Sequence, residues 1–233
     1  MEQIILNYNN AEVKFDITKP YQIVSIEGNI GSGKSTLLNR LKEQYKDDKK
    51  VVFLKEPVDD WEKIKDNNGE TIIQKFYKDQ DKYAFSFQML AYISRLALLR
   101  EKVKQYAGET GITFITERCL YTDKCVFAKM LYESDKIEQV NYQIYCNWFD
   151  TFAEEYKIDK IIYIKVDPII CDIRIKGRNR LGESSIPIEY LSSCHNYHEK
   201  MMETMKEHTH IKIIDGQQQI MNWINNINSF IDA

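Results

Sequence analysis

The chain has little of what breaks or staples a fold. Its four prolines, at 20, 57, 168 and 187, stand singly, and no Pro/Gly/Ser-rich stretch interrupts the 233 residues. No linker is signalled and no repeat is present, so a single domain over 1–233 is expected, long enough to bury a substantial core. Cysteine is sparse and unpatterned: Cys119, Cys125, Cys146, Cys171 and Cys194 include no C-x-x-C pair and are odd in number. That excludes a disulfide framework and points to a reducing, cytoplasmic setting. No run approaches the ~18 apolar residues of a membrane span, so no membrane partner is expected. Met1-Glu2-Gln3-Ile4-Ile5-Leu6 lacks the basic stretch of a secretory signal. With a net charge of −3 there is no basic excess for coating a nucleic acid, although local basic clusters remain possible for a small anionic ligand.

What is present is an alternation. Short, continuously apolar runs at Gln22–Glu27, Val51–Lys55, Thr113–Thr116, Lys160–Val166 and His210–Ile214 read as strands covered on both faces. Between and after them, Lys34–Tyr45, Asp81–Tyr106, Asp123–Glu133, Lys136–Tyr156, Pro168–Lys176, Pro187–Glu207 and Gln217–Ile231 carry helical patterns. The expected fold is a doubly wound α/β sheet of about five parallel strands flanked by helices. Residues 1–19 read as an N-terminal extension with a short edge strand around Val13 to Ile17. In such sheets ligands gather at the carboxyl ends of the strands, which directs attention to the residues just after each run.

After the first run comes Glu27-Gly28-Asn29-Ile30-Gly31-Ser32-Gly33-Lys34-Ser35-Thr36, in which Gly28, Gly33, Lys34 and Ser35 satisfy the spacing G-x-x-x-x-G-K-[ST]. A strand precedes it, and Leu37, Leu38 and Leu41 begin a helix after it, the setting such a loop requires. Backbone N–H groups and the helix N-terminus would cradle phosphates there. Lys34 would reach the β/γ-phosphates and the Ser35 hydroxyl would ligate Mg²⁺, with residues 28–36 as the phosphate-binding set.

The other strand ends are charged. Glu56 precedes Pro57, which cannot continue a ladder, and is placed as a general base. Glu117-Arg118 sets an acid beside a base at the same end of the sheet. Beyond the fourth strand, Arg174 and Arg178 share a helix face at i, i+4, with Arg180 following; such arginines can close over transferring phosphates as a lid, with Gly177 and Gly182 as hinges.

In this order the motifs resemble the deoxyribonucleoside kinases, and within them the deoxycytidine/deoxyguanosine/deoxyadenosine branch. The resemblance rests on Ile-Glu-Gly-Asn-Ile-Gly-Ser-Gly-Lys-Ser-Thr (26–36), Glu-Pro-Val-x-x-Trp (56–61), Phe87-Gln88 followed by Arg95, Glu-Arg-x-x-Tyr-x-Asp (117–123), and Ile-Pro-x-Glu-Tyr-Leu (186–191), and it spans roughly 21–215. It implies a P-loop kinase fold with an Arg-rich lid at about 174–186, transferring the γ-phosphate of ATP or another nucleoside triphosphate to a deoxynucleoside 5′-hydroxyl, with Mg²⁺ as cofactor. Glu56 would take the hydroxyl proton, Arg118 would hold the transferring group, and Glu117 with Ser35 would position the metal. Gln88 would pair with the base edge between Trp61, Phe87 and Phe127, while Tyr77 and Glu183 would hold the sugar 3′-hydroxyl. Arg174, Arg178 and Arg180 match lid arginines. Arg95 and Asp123 accompany activity on deoxycytidine and purine deoxynucleosides, and a purine is the expected acceptor. Cys119 departs from the family's usual Ser, which bears on fine substrate preference. The resemblance further implies a homodimer and feedback by a deoxynucleoside triphosphate.

Two other classes fit part of the pattern. A nucleoside monophosphate kinase would need cations where Glu56, Asp59 and Asp60 stand; a regulatory nucleotide-binding module would not need Lys34, Ser35, Glu56 and Arg118 together. His195 and His198, at i, i+3, read as helix-surface residues, and Met201, Met202 and Met205 as packing.

Overall fold

The structure, a computed structural model, describes residues 20–178, 183, 186–218 and 221–232. The expected edge strand at 13–17, Arg180 and Gly182 lie outside the described residues. Five strands, β1 (Tyr21–Gly28), β2 (Val51–Leu54), β3 (Ile112–Glu117), β4 (Lys160–Lys165) and β5 (His210–Asp215), form one sheet in the order β2-β3-β1-β4-β5. Every pairing is parallel. β1 is central, so the loop that follows it emerges between the ends of β3 and β4. Ile26 pairs with Glu117, and Gly28 with Ile164. This register brings three charged strand ends to one edge of the sheet, as the apolar runs predict.

The three inner strands β1, β3 and β4 are mostly buried, whereas edge strand β5, expected to be covered on both faces, is exposed at His210, Ile213 and Asp215 because it pairs on one side only. β3 is buried at all six positions; at its centre Phe114 is wholly buried, with the rings of Tyr21 and Tyr106 edge-on at 5.4 and 6.0 Å. The helices are α1 (Lys34–Gln44), α2 (Val58–Trp61), α3 (Ile72–Lys78), α4 (Gln80–Gln105), α5 (Leu120–Thr122), α6 (Lys129–Glu133), α7 (Gln139–Phe152), α8 (Pro168–Arg178), α9 (Ile188–Met205) and α10 (Met221–Asp232). α2 and α3 were not visible as periodic patterns, since one or two turns are too short to show a period. A capping box nonetheless starts α3, where the Thr71 side chain accepts from Gln74 N and the Gln74 side chain accepts from Thr71 N.

Two features of the helices matter for the site. The buried row of α4 runs Ala84, Phe87, Gln88, Ala91, Tyr92, Arg95, Leu96, Leu99, a helical stripe in which Gln88 and Arg95 are the polar exceptions. Between α5 and α6 the chain passes through a π-helical turn, Asp123–Ala128, where a regular helix was expected. Such turns favour functional positions.

Phe114→Ala, emptying a site walled by two rings, is expected to destabilise the fold by about 3–5 kcal/mol. Urea unfolding followed by circular dichroism measures this, and an unchanged midpoint would contradict the packing described.

Candidate active site

The loop after β1 is shaped by glycine. Gly28 has φ 146°, and a Cβ there would lie 2.6 Å from the Ile164 carbonyl oxygen, a backbone atom that cannot step aside. Gly33, at φ 103°, turns the chain into α1 from the left-handed region. Asn29 fastens the loop: its Oδ1 accepts from Ile30 N at 2.8 Å and its Nδ2 donates to the Leu191 carbonyl of α9 at 2.8 Å. Lys34 Nζ donates to the Asn29 carbonyl at 2.8 Å. Burial, then Arg118, lowers the Lys34 ammonium to about 7, against the pull of Glu117, Glu56 and Glu27.

Beside the loop, Ser35 Oγ donates to Glu117 Oε1 at 2.5 Å. The other oxygen, Glu117 Oε2, is buried with no hydrogen-bond partner among the described residues. Hard oxygen donors, one of them orphaned, suit a magnesium-like cation. No cluster of three or more His, Cys, Asp or Glu that could hold a metal forms among the described residues.

Glu56, expected as a general base at a strand end, is gripped by two guanidinium groups. Arg95 Nη2 donates to Glu56 Oε1 at 2.9 Å, and Arg118 Nε lies 3.3 Å from the same oxygen. Burial alone would raise this carboxyl, but Arg118, Arg95 and Lys34 together outweigh it and lower it to about 2. Arg95 also donates to Asp123, with Nε to Oδ2 at 2.8 Å, and to the Glu117 carbonyl, with Nη1 at 2.7 Å. Burial opposes the charge on Arg95, yet Asp123 and Glu56 hold it firmly cationic. Burial leaves the Asp123 carboxyl above its ordinary value despite Arg95 beside it.

Arg118 has φ 66°, in the left-handed region that a non-glycine residue seldom adopts. Its Nη1 donates to the Gly28 carbonyl at 2.8 Å, and the guanidinium lies over the Phe127 ring, 4.9 Å from the centroid. His198 corrects the sequence expectation. It is fully buried, not a surface residue, with Nε2 3.3 Å from Arg118 Nη1.

Lys34, Ser35, Glu56, Arg95, Glu117, Arg118 and Asp123 open onto one cavity of about 570 Å³ that runs from the phosphate loop to the row of α4. Trp61, Phe87 and Phe76 wall its far end, with Trp61 edge-on to Phe87 at 5.4 Å and Phe76 tilted against Phe87 at 4.8 Å. Trp61 is fixed by its Nε1, which donates to Ser94 Oγ at 2.8 Å. Gln88, Tyr77, Phe127 and Glu183 also line the cavity. Glu183 lies against the lid helix: Arg178 Nε donates to its Oε2 at 2.8 Å. Arg174 reaches the loop itself, donating through Nη1 to the Ser32 carbonyl at 3.3 Å and through Nη2 to the Gly216 carbonyl at 2.9 Å. Gly177 sits in the last turn of α8 rather than at a break in it.

The cavity also contains residues that sequence reasoning passed over. Phe76, Tyr190 and Trp223 line it, but at helical spacing they look like core. Tyr190 packs on Tyr77, with ring centroids 6.1 Å apart, and was legible only as part of the Ile-Pro-x-Glu-Tyr-Leu motif. Trp223 Nε1 is buried without a partner among the described residues.

Comparison with known proteins agrees with this geometry. The chain is 33% identical over 207 residues, 88% of its length and 80% of the other's, to a protein of fowlpox virus described as a probable deoxycytidine kinase. It is 36% identical over 199 residues, 77% of its length and 74% of the other's, to human deoxycytidine kinase. Among solved structures, the deoxyadenosine kinase from M. mycoides, with products dCMP and a flexible dCDP bound, superposes with a TM-score of 0.75. At 22% identity, covering 91% of this chain and 99% of that one, it speaks for the fold. The deoxynucleoside kinase family model matches residues 24–233, and the chain belongs to that family, ATP-dependent enzymes that phosphorylate deoxynucleosides.

Proposed function

We propose that Glu56 is the group that accepts the proton of the deoxynucleoside 5′-hydroxyl, with the donor triphosphate in the loop from Gly28 to Thr36. The observation that carries this reading is the Glu56 carboxylate fixed between Arg95 and Arg118, on the cavity that the loop also lines. A carboxyl held near 2 is a weak base. Phosphoryl transfer passes through a loose transition state, so an ionised carboxylate that orients the hydroxyl is sufficient. Lys34, Arg118 and the lid arginines Arg174, Arg178 and Arg180 supply positive charge to the transferring group. Ser35 and Glu117 would hold Mg²⁺, whose chemistry there is to neutralise charge between the β- and γ-phosphates.

On the acceptor side, Tyr77 and Glu183 are assigned to the sugar and Gln88 to the base between Trp61, Phe87 and Phe127. A Gln amide offers one donor and one acceptor and can turn over, so it does not choose a base alone. The Arg95–Asp123 pair does. Asp123 suits an exocyclic amino group, as on cytosine and adenine, and Arg95 a carbonyl, as on guanine; thymine sets its carbonyl against the carboxylate and its methyl against the pair. A purine deoxynucleoside is the proposed acceptor, with deoxycytidine beside it on the strength of the relatives' names.

Other parts of the reading rest on surface and chain features. Ile93 of α4 and Val140, Ile144 and Trp148 of α7 are large apolar residues left exposed, which supports pairing of two copies through these helices. Because the loop and the base walls share one cavity, a deoxynucleoside triphosphate can span both and act as feedback inhibitor. Five cysteines without a disulfide support a cytoplasmic setting. Among the described residues no helix is long and apolar enough to cross a membrane.

Glu56→Gln should lower kcat by about 10²–10⁴-fold while ATP binding, read by calorimetry, is retained; wild-type turnover in this variant would remove Glu56 from its role. In a phosphorylation screen, deoxyadenosine, deoxyguanosine and deoxycytidine should be used and thymidine left nearly untouched. The paired change Arg95→Met with Asp123→Ala should raise the thymidine-to-deoxycytidine ratio of kcat/KM, although absolute rates fall because Arg95 also holds Glu56. An unchanged ratio would defeat the selection argument. The same double variant removes one guanidinium from Glu56, so its carboxyl should rise from about 2. A depressed folded-state pKa contributes stability above the unfolded value of about 4.3, lost as pH falls toward the folded one. The double variant should therefore lose this contribution at a higher pH than the parent, measured by NMR titration of Glu56 and by acid unfolding.

A further inference from the structure

We propose that His198 is a positioning residue for phosphoryl transfer: its unprotonated Nε2 accepts from Arg118 Nη1 and aims the guanidinium so that Nη2 faces the reacting phosphate. The inference rests on the reading of Arg118 as the group that holds the transferring phosphoryl.

The tautomer follows from the partners. His198 Nδ1 lies 2.7 Å from the carbonyl oxygen of Cys194, one turn earlier in α9. A carbonyl only accepts, so Nδ1 carries the proton and Nε2 presents a lone pair. The only donor that the structure sets against that lone pair, among the described residues, is Arg118 Nη1 at 3.3 Å. The ring cannot swing away, because Tyr163 stacks on it at 11° and the Phe127 ring meets it at 89°, each with centroids 6.2 Å apart. Burial, then Arg118, keeps the imidazole well below its ordinary pKa, so the acceptor persists across the working pH range.

Arg118 needs such a guide. Its backbone is in the left-handed region, and its other polar side-chain partners, the Gly28 carbonyl and Glu56, belong to the loop and to the acceptor base, the two parts that engage substrate. His198 belongs to neither. It adds direction without adding charge, in a place where a carboxylate would neutralise the arginine. With Nε on Glu56 and both Nη1 hydrogens engaged by Gly28 and His198, Nη2 is the edge with no hydrogen-bond partner among the described residues, on a side chain that lines the cavity.

The test compares three replacements in the full chain. His198→Asn reaches only the Nδ1 position, His198→Phe keeps the ring stack without an acceptor, and His198→Gln returns an amide oxygen near Nε2. Asn and Phe should lower kcat about tenfold or more, the scale of one hydrogen bond to a charged group, with both KM values within about threefold. Gln should keep kcat within about threefold of the parent. In an Arg118→Met background, His198→Phe should add no further loss. The inference is overturned if Phe and Asn keep parental kcat, if Gln falls as far as Phe, or if the losses track melting temperature; should one variant not fold, the other two still make the comparison. If Arg118→Met itself keeps parental kcat, the reading of Arg118 fails and this inference with it. If Arg118→Met is impaired and the His198 variants are not, only this inference fails.

Discussion

One carboxylate sharing two buried guanidinium groups holds the active end of this molecule together. Glu56 comes from the end of β2, Arg95 from the middle of α4 and Arg118 from the end of β3, so three elements distant in sequence are locked by two ion pairs on one oxygen. The lock extends outward through Asp123 in the π turn and the Glu117 carbonyl. Removing one partner from such a set leaves a buried charge uncompensated, at a cost of about 3–5 kcal/mol. Fold and chemistry therefore cannot be varied independently here. Arg95 ties Asp123 to Glu56, so a change at any one of the three disturbs the other two.

The surrounding charge is arranged on the same scale. Lys34, Arg95, Arg118, Arg174 and Arg178 line the cavity with Glu56, Glu117, Asp123 and Glu183 among them. The whole chain carries a net charge of −3. The cavity thus gathers cations in a chain that is acidic as a whole, which suits a small polyanion. Lys34 reflects the same crowding: burial and then Arg118 oppose its charge, and phosphate oxygens would restore it.

The parallel sheet and the strand-end chemistry were legible in the sequence because both follow from local pattern. Continuous apolar runs fix a covered sheet, and Gly28, Gly33, Lys34, Glu56, Glu117 and Arg118 announce themselves as departures at the ends of those runs. Gln88 and Arg95 were legible only through the resemblance; their place as polar residues in an apolar helical row is a finding of the structure. Phe76, Tyr190 and Trp223 were not legible, since an aromatic residue facing a cavity has the same spacing as one facing the core. His198 failed differently. Its neighbour His195 suggested a surface pair, and nothing local shows that one lies against a buried arginine contributed 80 residues earlier. The short helices α2 and α3 were missed because their ends, not their periods, define them.

The π turn at Asp123–Ala128 has a consequence for how this site tolerates changes in chain length. A π turn holds one residue more than the α-helix on either side needs, with the flanking faces kept in phase. A single deletion within Lys124–Ala128 can be absorbed by tightening that turn to a regular helix, leaving Asp123 and the buried Met130 and Leu131 on their own faces. The same deletion between Gln88 and Arg95 in α4 has no slack to draw on and would rotate one of them about 100° away from the cavity. Of the two segments that bring Arg95 and Asp123 together, one is rigid in register and the other carries a spare residue. Length variation that reshapes this wall of the cavity has its open route on the Asp123 side.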